Sequence, residues 1–122
     1  MKTIKFISIL LAAAIMAISC NKKNPDPASV TISASQVTID ATTPAFITYT
    51  ATNAVGEVKV VHTNSNIDKV ITNNEYDIAT KTGKITFSTT QTEASSVVAE
   101  LNFCDDNSWF QSSNVNVTIN KK

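Results

Sequence analysis

From Val30 to Asn120 apolar and polar residues alternate with a period of two, and nothing else in the chain constrains its fold as strongly. Val30 and Ile32 alternate with Thr31 and Ser33, and Val37 and Ile39 with Thr38 and Asp40. Ile47, Tyr49 and Ala51 interleave with Thr48, Thr50 and Thr52, while Val58, Val60 and His62 share one side of the next run. Ile85 and Phe87 follow, then Val97, Ala99, Leu101 and Phe103, and last Val115, Val117 and Ile119 between Asn114, Asn116, Thr118 and Asn120. Successive side chains of a strand point to opposite faces, so such segments bury one face and wet the other, as antiparallel sheets do. No segment sustains a helical period.

Turn chemistry separates the runs. Asn53-Ala54-Val55-Gly56 breaks two of them, and Thr80-Lys81-Thr82-Gly83 reads as a hairpin turn between Tyr76–Ala79 and Lys84–Thr89. Gly83 is expected to supply its positive φ. Seven or eight short strands over about 90 residues match an immunoglobulin-like sandwich. The expected fold is therefore all-β: a single antiparallel immunoglobulin-like sandwich over residues 30–122. Thr, Ser and Asn, about a third of the 122 residues and well above ordinary usage, suit its polar strand faces and loops.

Residues 1–19 differ in kind. Lys2 and Lys5 form a cationic head, and Phe6 to Ile18 is apolar apart from Ser8. Thirteen helical residues span about 20 Å, short of the roughly 30 Å hydrocarbon core, so this is the apolar region of a cleaved signal peptide and not a membrane span. Ala17-Ile18-Ser19-Cys20 resembles a bacterial lipobox, with Ala17 where Leu is usual. That resemblance implies acylation of Cys20 and cleavage before it. The alternative is an ordinary secretory signal cut after Ala17 or Ser19, which frees Cys20 to pair with Cys104.

Two or three acyl chains hold a protein firmly on a bilayer, whereas one does so only marginally. Residues 20–29 then form a lipidated Cys and a polar tether, stiffened by Pro25 and Pro27, with Lys22 and Lys23 near the headgroups. Without its leader the chain has eight Lys against ten acids. This mildly acidic balance lacks the basic face that nucleic acid requires.

The lipobox, the tether, the opening Val30-Thr31-Ile32-Ser33, the hairpin Thr82-Gly83-Lys84-Ile85-Thr86 and the closing Val115-Asn116-Val117-Thr118-Ile119 resemble small Bacteroidota lipoproteins with an immunoglobulin-like domain. The resemblance implies the cell envelope, at the outer membrane on its periplasmic or surface face, often within nutrient-uptake or adhesion systems. It brings no catalytic residues. The chain lacks the core Cys and Trp pair of antibody-type domains.

Among candidate sites, Cys104 reads as a partly buried, inert thiol and His62 as a core-edge or surface histidine. One His and one free Cys fall short of a zinc site. Counting from Asn64, residues Asn64, Asn66, Asp68, Thr72 and Glu75 follow the spacing of a calcium loop. Lys69 stands where Gly is needed, so this stretch reads as a polar loop between strands. Asn116-Val117-Thr118 matches a glycosylation pattern by coincidence, inside the final strand.

The best binding candidate is the connection Asp105–Gln111, with Asp105, Asp106, Asn107, Trp109 and Phe110 as ligand contacts. Carboxylates and an amide can bond sugar hydroxyls while an exposed indole stacks on a pyranose face. The competing arrangement has Trp109 and Phe110 folding back to plug the end of the core. That arrangement is the expected one, because so small a domain has few large side chains to spare. Adjacent carboxylates on a strand point apart, which disfavours glycoside hydrolysis. The expectation is a non-catalytic envelope lipoprotein, without cofactor or metal, that binds a glycan or an envelope protein as an accessory to glycan uptake or adhesion. The alternative is a structural scaffold docking to another envelope protein.

Overall fold

A computed structural model describes residues 27–63 and 68–122. The leader 1–19, Cys20 and the tether as far as Asp26 lie outside the described residues, as do Asn64 and Asn66 of the calcium-loop count. The described residues are all-β and contain no helix. Eight strands follow in order: β1 Ser29–Ile32, β2 Gln36–Ile39, β3 Ala45–Thr52, β4 Lys59–His62, β5 Ile71–Asp77, β6 Thr82–Ser88, β7 Ser95–Cys104 and β8 Trp109–Ile119. They form two four-stranded sheets, one ordered β1-β3-β6-β5 and the other β2-β8-β7-β4.

The inward members of the alternation meet between the sheets. Ile47, Tyr49, Ile85 and Phe87 of one sheet and Val97, Ala99, Leu101, Phe103, Val115, Val117 and Ile119 of the other belong to one buried cluster. Tyr49 ties the layers together: its ring stands edge-on to Phe103 at 5.2 Å and stacks on Tyr76 at 6.1 Å. Its hydroxyl donates to Asn74 Oδ1 at 2.8 Å, and Asn74 Nδ2 donates to the Val58 carbonyl at 3.1 Å. Gln111 makes a second bridge, accepting from Val30 N at 2.9 Å and donating to Val30 O at 3.0 Å. Both of these amides point into the sandwich because the backbone they satisfy lies on the other sheet.

Burial pushes the Tyr49 hydroxyl up to about 12, against a weaker opposing effect from its bond to Asn74. A raised folded-state value means that the neutral phenol stabilises the fold fully below the unfolded value of 10. That contribution is lost as the pH rises toward 12. Alkaline titration followed by circular dichroism should show unfolding in this window, and Tyr49→Phe should move it to higher pH. An unshifted alkaline transition in that variant would contradict the assignment.

Three expectations need correction. The sheets are not wholly antiparallel: β2 pairs in parallel with β8. After β1, antiparallel to β3, the chain crosses to the other sheet at residues 33–35 without reversing, so β2 continues in the same direction alongside the last strand. Ser33 N donates to Thr48 O at 2.8 Å and Ser33 Oγ accepts from Thr48 N at 2.9 Å, holding one side of the crossing. Asn116 N donates to Ser35 O at 2.8 Å on the other.

The stretch read as a polar loop up to Glu75 supplies most of β5, which spans Ile71–Asp77 and not Tyr76–Ala79. Finally, the positive φ of the β5–β6 hairpin belongs to Lys81, at 60°, and not to Gly83. Asp77 makes this possible by accepting Lys81 N on its carbonyl at 2.8 Å and Ala79 N on Oδ1 at 2.9 Å, which closes the turn one residue before β6. Gly83 lies within β6 opposite Tyr49 and Tyr76, where an added Cβ would run into the Tyr49 ring.

Candidate functional site

The connection between the two longest strands is shorter than its sequence suggests. Trp109, Phe110 and Gln111 already belong to β8, so only Asp105–Ser108 forms the turn. Asp105 builds it. Its Oδ1 accepts from Asn107 N at 2.8 Å and Ser108 N at 3.0 Å, and its own N–H donates to Ser108 O at 3.0 Å. The other carboxylate oxygen reaches out of the turn to accept Val55 N at 2.9 Å. Asp106 N returns the contact by donating to Val55 O at 2.9 Å. The β7–β8 turn is thereby locked to the β3–β4 loop.

These bonds decide what the two carboxylates can do. The Val55 N–H, together with those of Ser108 and Asn107, holds the Asp105 carboxyl below its ordinary value, so it stays an anion and an acceptor. Asp106 lies 3.9 Å from Lys59 Nζ, which also lies 3.8 Å from Glu57. Gly56, at φ 72°, gives Asp106 room: an added Cβ would strike the Asp106 carboxylate. Asp105 therefore forms the turn, and it also lines the groove described next.

Trp109 does not plug the core. It is 61% exposed, and the place expected for it at the sandwich end is taken by the half-buried Phe110, which packs against the core cluster. A β-bulge at Phe103/Cys104 shifts the register so that Cys104 pairs with Trp109 while Phe103 pairs with Gln111. That irregularity turns the start of β8 outward. Trp109 and Phe110 line a groove of ≈ 370 Å³ with Asp105, Asn107 and Ser108 on one side and Pro27, Ala28, Asn53 and Val55 on the other. Asn53 Nδ2 donates to the Pro27 carbonyl at 3.4 Å, joining the incoming chain to the β3–β4 loop.

Pro27, Ala28, Asn53 and Val55 are groove residues that the sequence does not reveal. The lock between Asp105 and Val55, fifty residues apart, brings the β3–β4 loop there, and the pairing of β1 with β3 brings Pro27 and Ala28. Of the other candidates, Cys104 is a half-buried free thiol. Among the described residues no three His, Cys, Asp or Glu side chains come together as metal ligands would.

Replacing Asp105 by alanine leaves three exposed backbone N–H groups to water in place of their acceptor and should cost about 1 kcal/mol. Because its folded value is lowered, the contribution is present above the ordinary carboxylate value and fades as the pH falls through the folded one. Denaturant unfolding at neutral pH checks this. An Asp105→Ala variant as stable as the parent there would show that the turn does not depend on the carboxylate.

The chain matches no protein-family model and no curated protein sequence.

Proposed function

We propose that this chain is an envelope-anchored, non-catalytic binding lipoprotein, held by an acylated Cys20, whose groove beside Trp109 takes a saccharide. The observation that carries this reading is the exposure of Trp109 at the mouth of that groove. An indole face offers stacking area to a pyranose ring, while Asn53, Asn107 and Ser108 offer donors and acceptors to its hydroxyls. Exposing the one tryptophan of a small domain gives up core volume, which favours recognition over scaffolding at this end.

The finer fold reading is an immunoglobulin-like sandwich. One sheet ordered β1-β3-β6-β5 agrees with the A-B-E-D sheet of such domains. In the other, the order β4-β7-β8 agrees with C-F-G, with β2 beside G. The non-catalytic reading is supported by the carboxylates beside the groove: Asp105 is held as an anion by backbone N–H groups and cannot serve as a general acid.

A glycan array probed with the mature chain and with its Trp109→Ala variant tests the saccharide reading. Binding by the parent that the variant loses is the expected result. Silence from both removes the saccharide and leaves the scaffold reading, with an envelope protein as partner.

A further inference from the structure

Three loops meet at the end of the sandwich where the chain enters β1, and each presents an apolar side chain to solvent. Val55 in the β3–β4 loop is 48% exposed, Ile78 in the β5–β6 hairpin 59%, and Trp109 lies beside the β7–β8 turn. Register and one bond between the sheets put the three at the same end: Ser29 at the start of β1 pairs with Thr52 at the end of β3, Thr50 with Thr82, and Cys104 with Trp109, while Val55 N donates to Asp105 Oδ2 at 2.9 Å. Among the described residues the other exposed large apolar side chains, Phe46, Val61, Ile71 and Val98, lie on strands, and Trp109 is the first residue of β8. The chain enters this same end, because Pro27 and Ala28 form one wall of the Trp109 groove.

We propose that in the anchored, sugar-free protein this end of the sandwich rests on the phospholipid bilayer, with Trp109, Val55 and Ile78 in the lipid interface. The inference rests on acylation of Cys20 and holds whether or not the groove also takes a sugar. Six residues lie between Cys20 and Pro27, which makes seven steps along the chain, and a fully extended chain covers at most about 3.6 Å per residue. The groove therefore lies within about 25 Å of the lipidated residue, whatever path the tether takes. Confinement of that kind raises the effective concentration of bilayer at the loops to the millimolar range, so a contact too weak to hold a free protein is populated.

The chemistry of the end suits such a surface. Indole is amphipathic and concentrates at membrane interfaces, where its ring is apolar and its N–H stays hydrated. Lys81 at the tip of the β5–β6 hairpin brings positive charge to this end, and Lys22 and Lys23 follow within three residues of Cys20 in the sequence. The carboxylates here are already engaged. Asp105 and Asp77 accept backbone N–H groups of their own turns, and Asp106 and Glu57 both face Lys59. Hydrogen bonds from backbone N–H groups do not neutralise a carboxylate, so the contact is carried by the apolar side chains and the lipid anchor and not by attraction to anionic headgroups.

Trp109 is the one tryptophan of the chain, so its emission reads the contact directly. The purified lipoprotein is reconstituted into vesicles of phosphatidylethanolamine and phosphatidylglycerol. It is compared with a mature chain carrying Cys20→Ser, expressed without the leader and mixed with the same vesicles. The lipoprotein should float with the vesicles, emit at shorter wavelength than the Cys20→Ser chain, and lose intensity when the lipids are brominated near the glycerol end of their acyl chains. Ile78→Asp should shrink the shift, whereas Ile71→Asp, at the far end of β5, should leave it intact.

A protein that floats but emits like the Cys20→Ser chain and is not quenched overturns the inference while keeping the anchor. A protein that does not float overturns the anchor and the inference with it. An indole that responds to a soluble sugar but not to the bilayer overturns the inference and keeps the saccharide reading.

Discussion

Alanine at Gly83 should destabilise the domain by about 3 kcal/mol, at the upper end of what overpacking a core costs. That is a large share of the roughly 5–15 kcal/mol by which a domain is stable. The added methyl meets the hydroxyl-bearing end of the Tyr49 ring, at Cζ, Cε1 and the hydroxyl oxygen, which is part of a rigid group and not the end of a flexible chain. The ring has nowhere to move: it is stacked on Tyr76, set against Phe103, and fixed through its hydroxyl to Asn74. Backbone strain is not the reason, since Gly83 is not a positive-φ residue. A double-mutant cycle with Tyr49→Ala separates the causes. If the ring is the obstacle, the two substitutions together should cost at least about 1 kcal/mol less than their sum. Strict additivity would place the damage elsewhere.

The second large effect is a contrast between two aromatic side chains six residues apart. Phe103→Ala should cost about 4 kcal/mol, because the ring is fully buried and packs against Tyr49 across the two sheets. Trp109→Ala should change stability by no more than about 0.5 kcal/mol, the usual range for a surface substitution away from special features. Urea unfolding of the two variants measures both. The pair discriminates sharply between the two arrangements open to Trp109 from sequence. Were the indole plugging the core, its removal would cost as much as that of Phe103.

Where inward residues are apolar and outward ones polar, the period of two reads the strands correctly, as in β3, β7 and the second half of β8. The pattern is inverted in β5: Ile71 faces solvent, while Thr72 and Asn74 face inward. Asn74 is at home there only because the Tyr49 hydroxyl and the Val58 carbonyl satisfy its amide, and those partners come from β3 and from the end of the β3–β4 loop. A local pattern cannot report them. The first residues of β8 are obscured for a related reason, since Gln111 occupies an inward position to bond the backbone of Val30, eighty-one residues away.

The hairpin glycine illustrates a different failure. Glycine near a turn suggests a positive φ, but Asp77 closes that turn early enough for Lys81 to take the left-handed conformation. What excludes a side chain at Gly83 is a tyrosine thirty-four residues earlier in the sequence. The candidate site was half legible. Asp105, Asn107, Ser108, Trp109 and Phe110 do line a groove, without Asp106, and the division of labour within the run follows from long-range bonds. Asp105 and Asp106 fasten the turn to the β3–β4 loop, and Trp109 is left outside by the bulge at Phe103/Cys104.

Both the saccharide reading and the bilayer contact assume that this end of the sandwich is held at a membrane through Cys20. Mass spectrometry of the mature N-terminus tests that directly. The account predicts a chain that begins at Cys20 and carries a diacylglyceryl group on its sulfur. A chain that begins elsewhere, or one in which Cys20 is a free thiol or is bridged to Cys104, would contradict it.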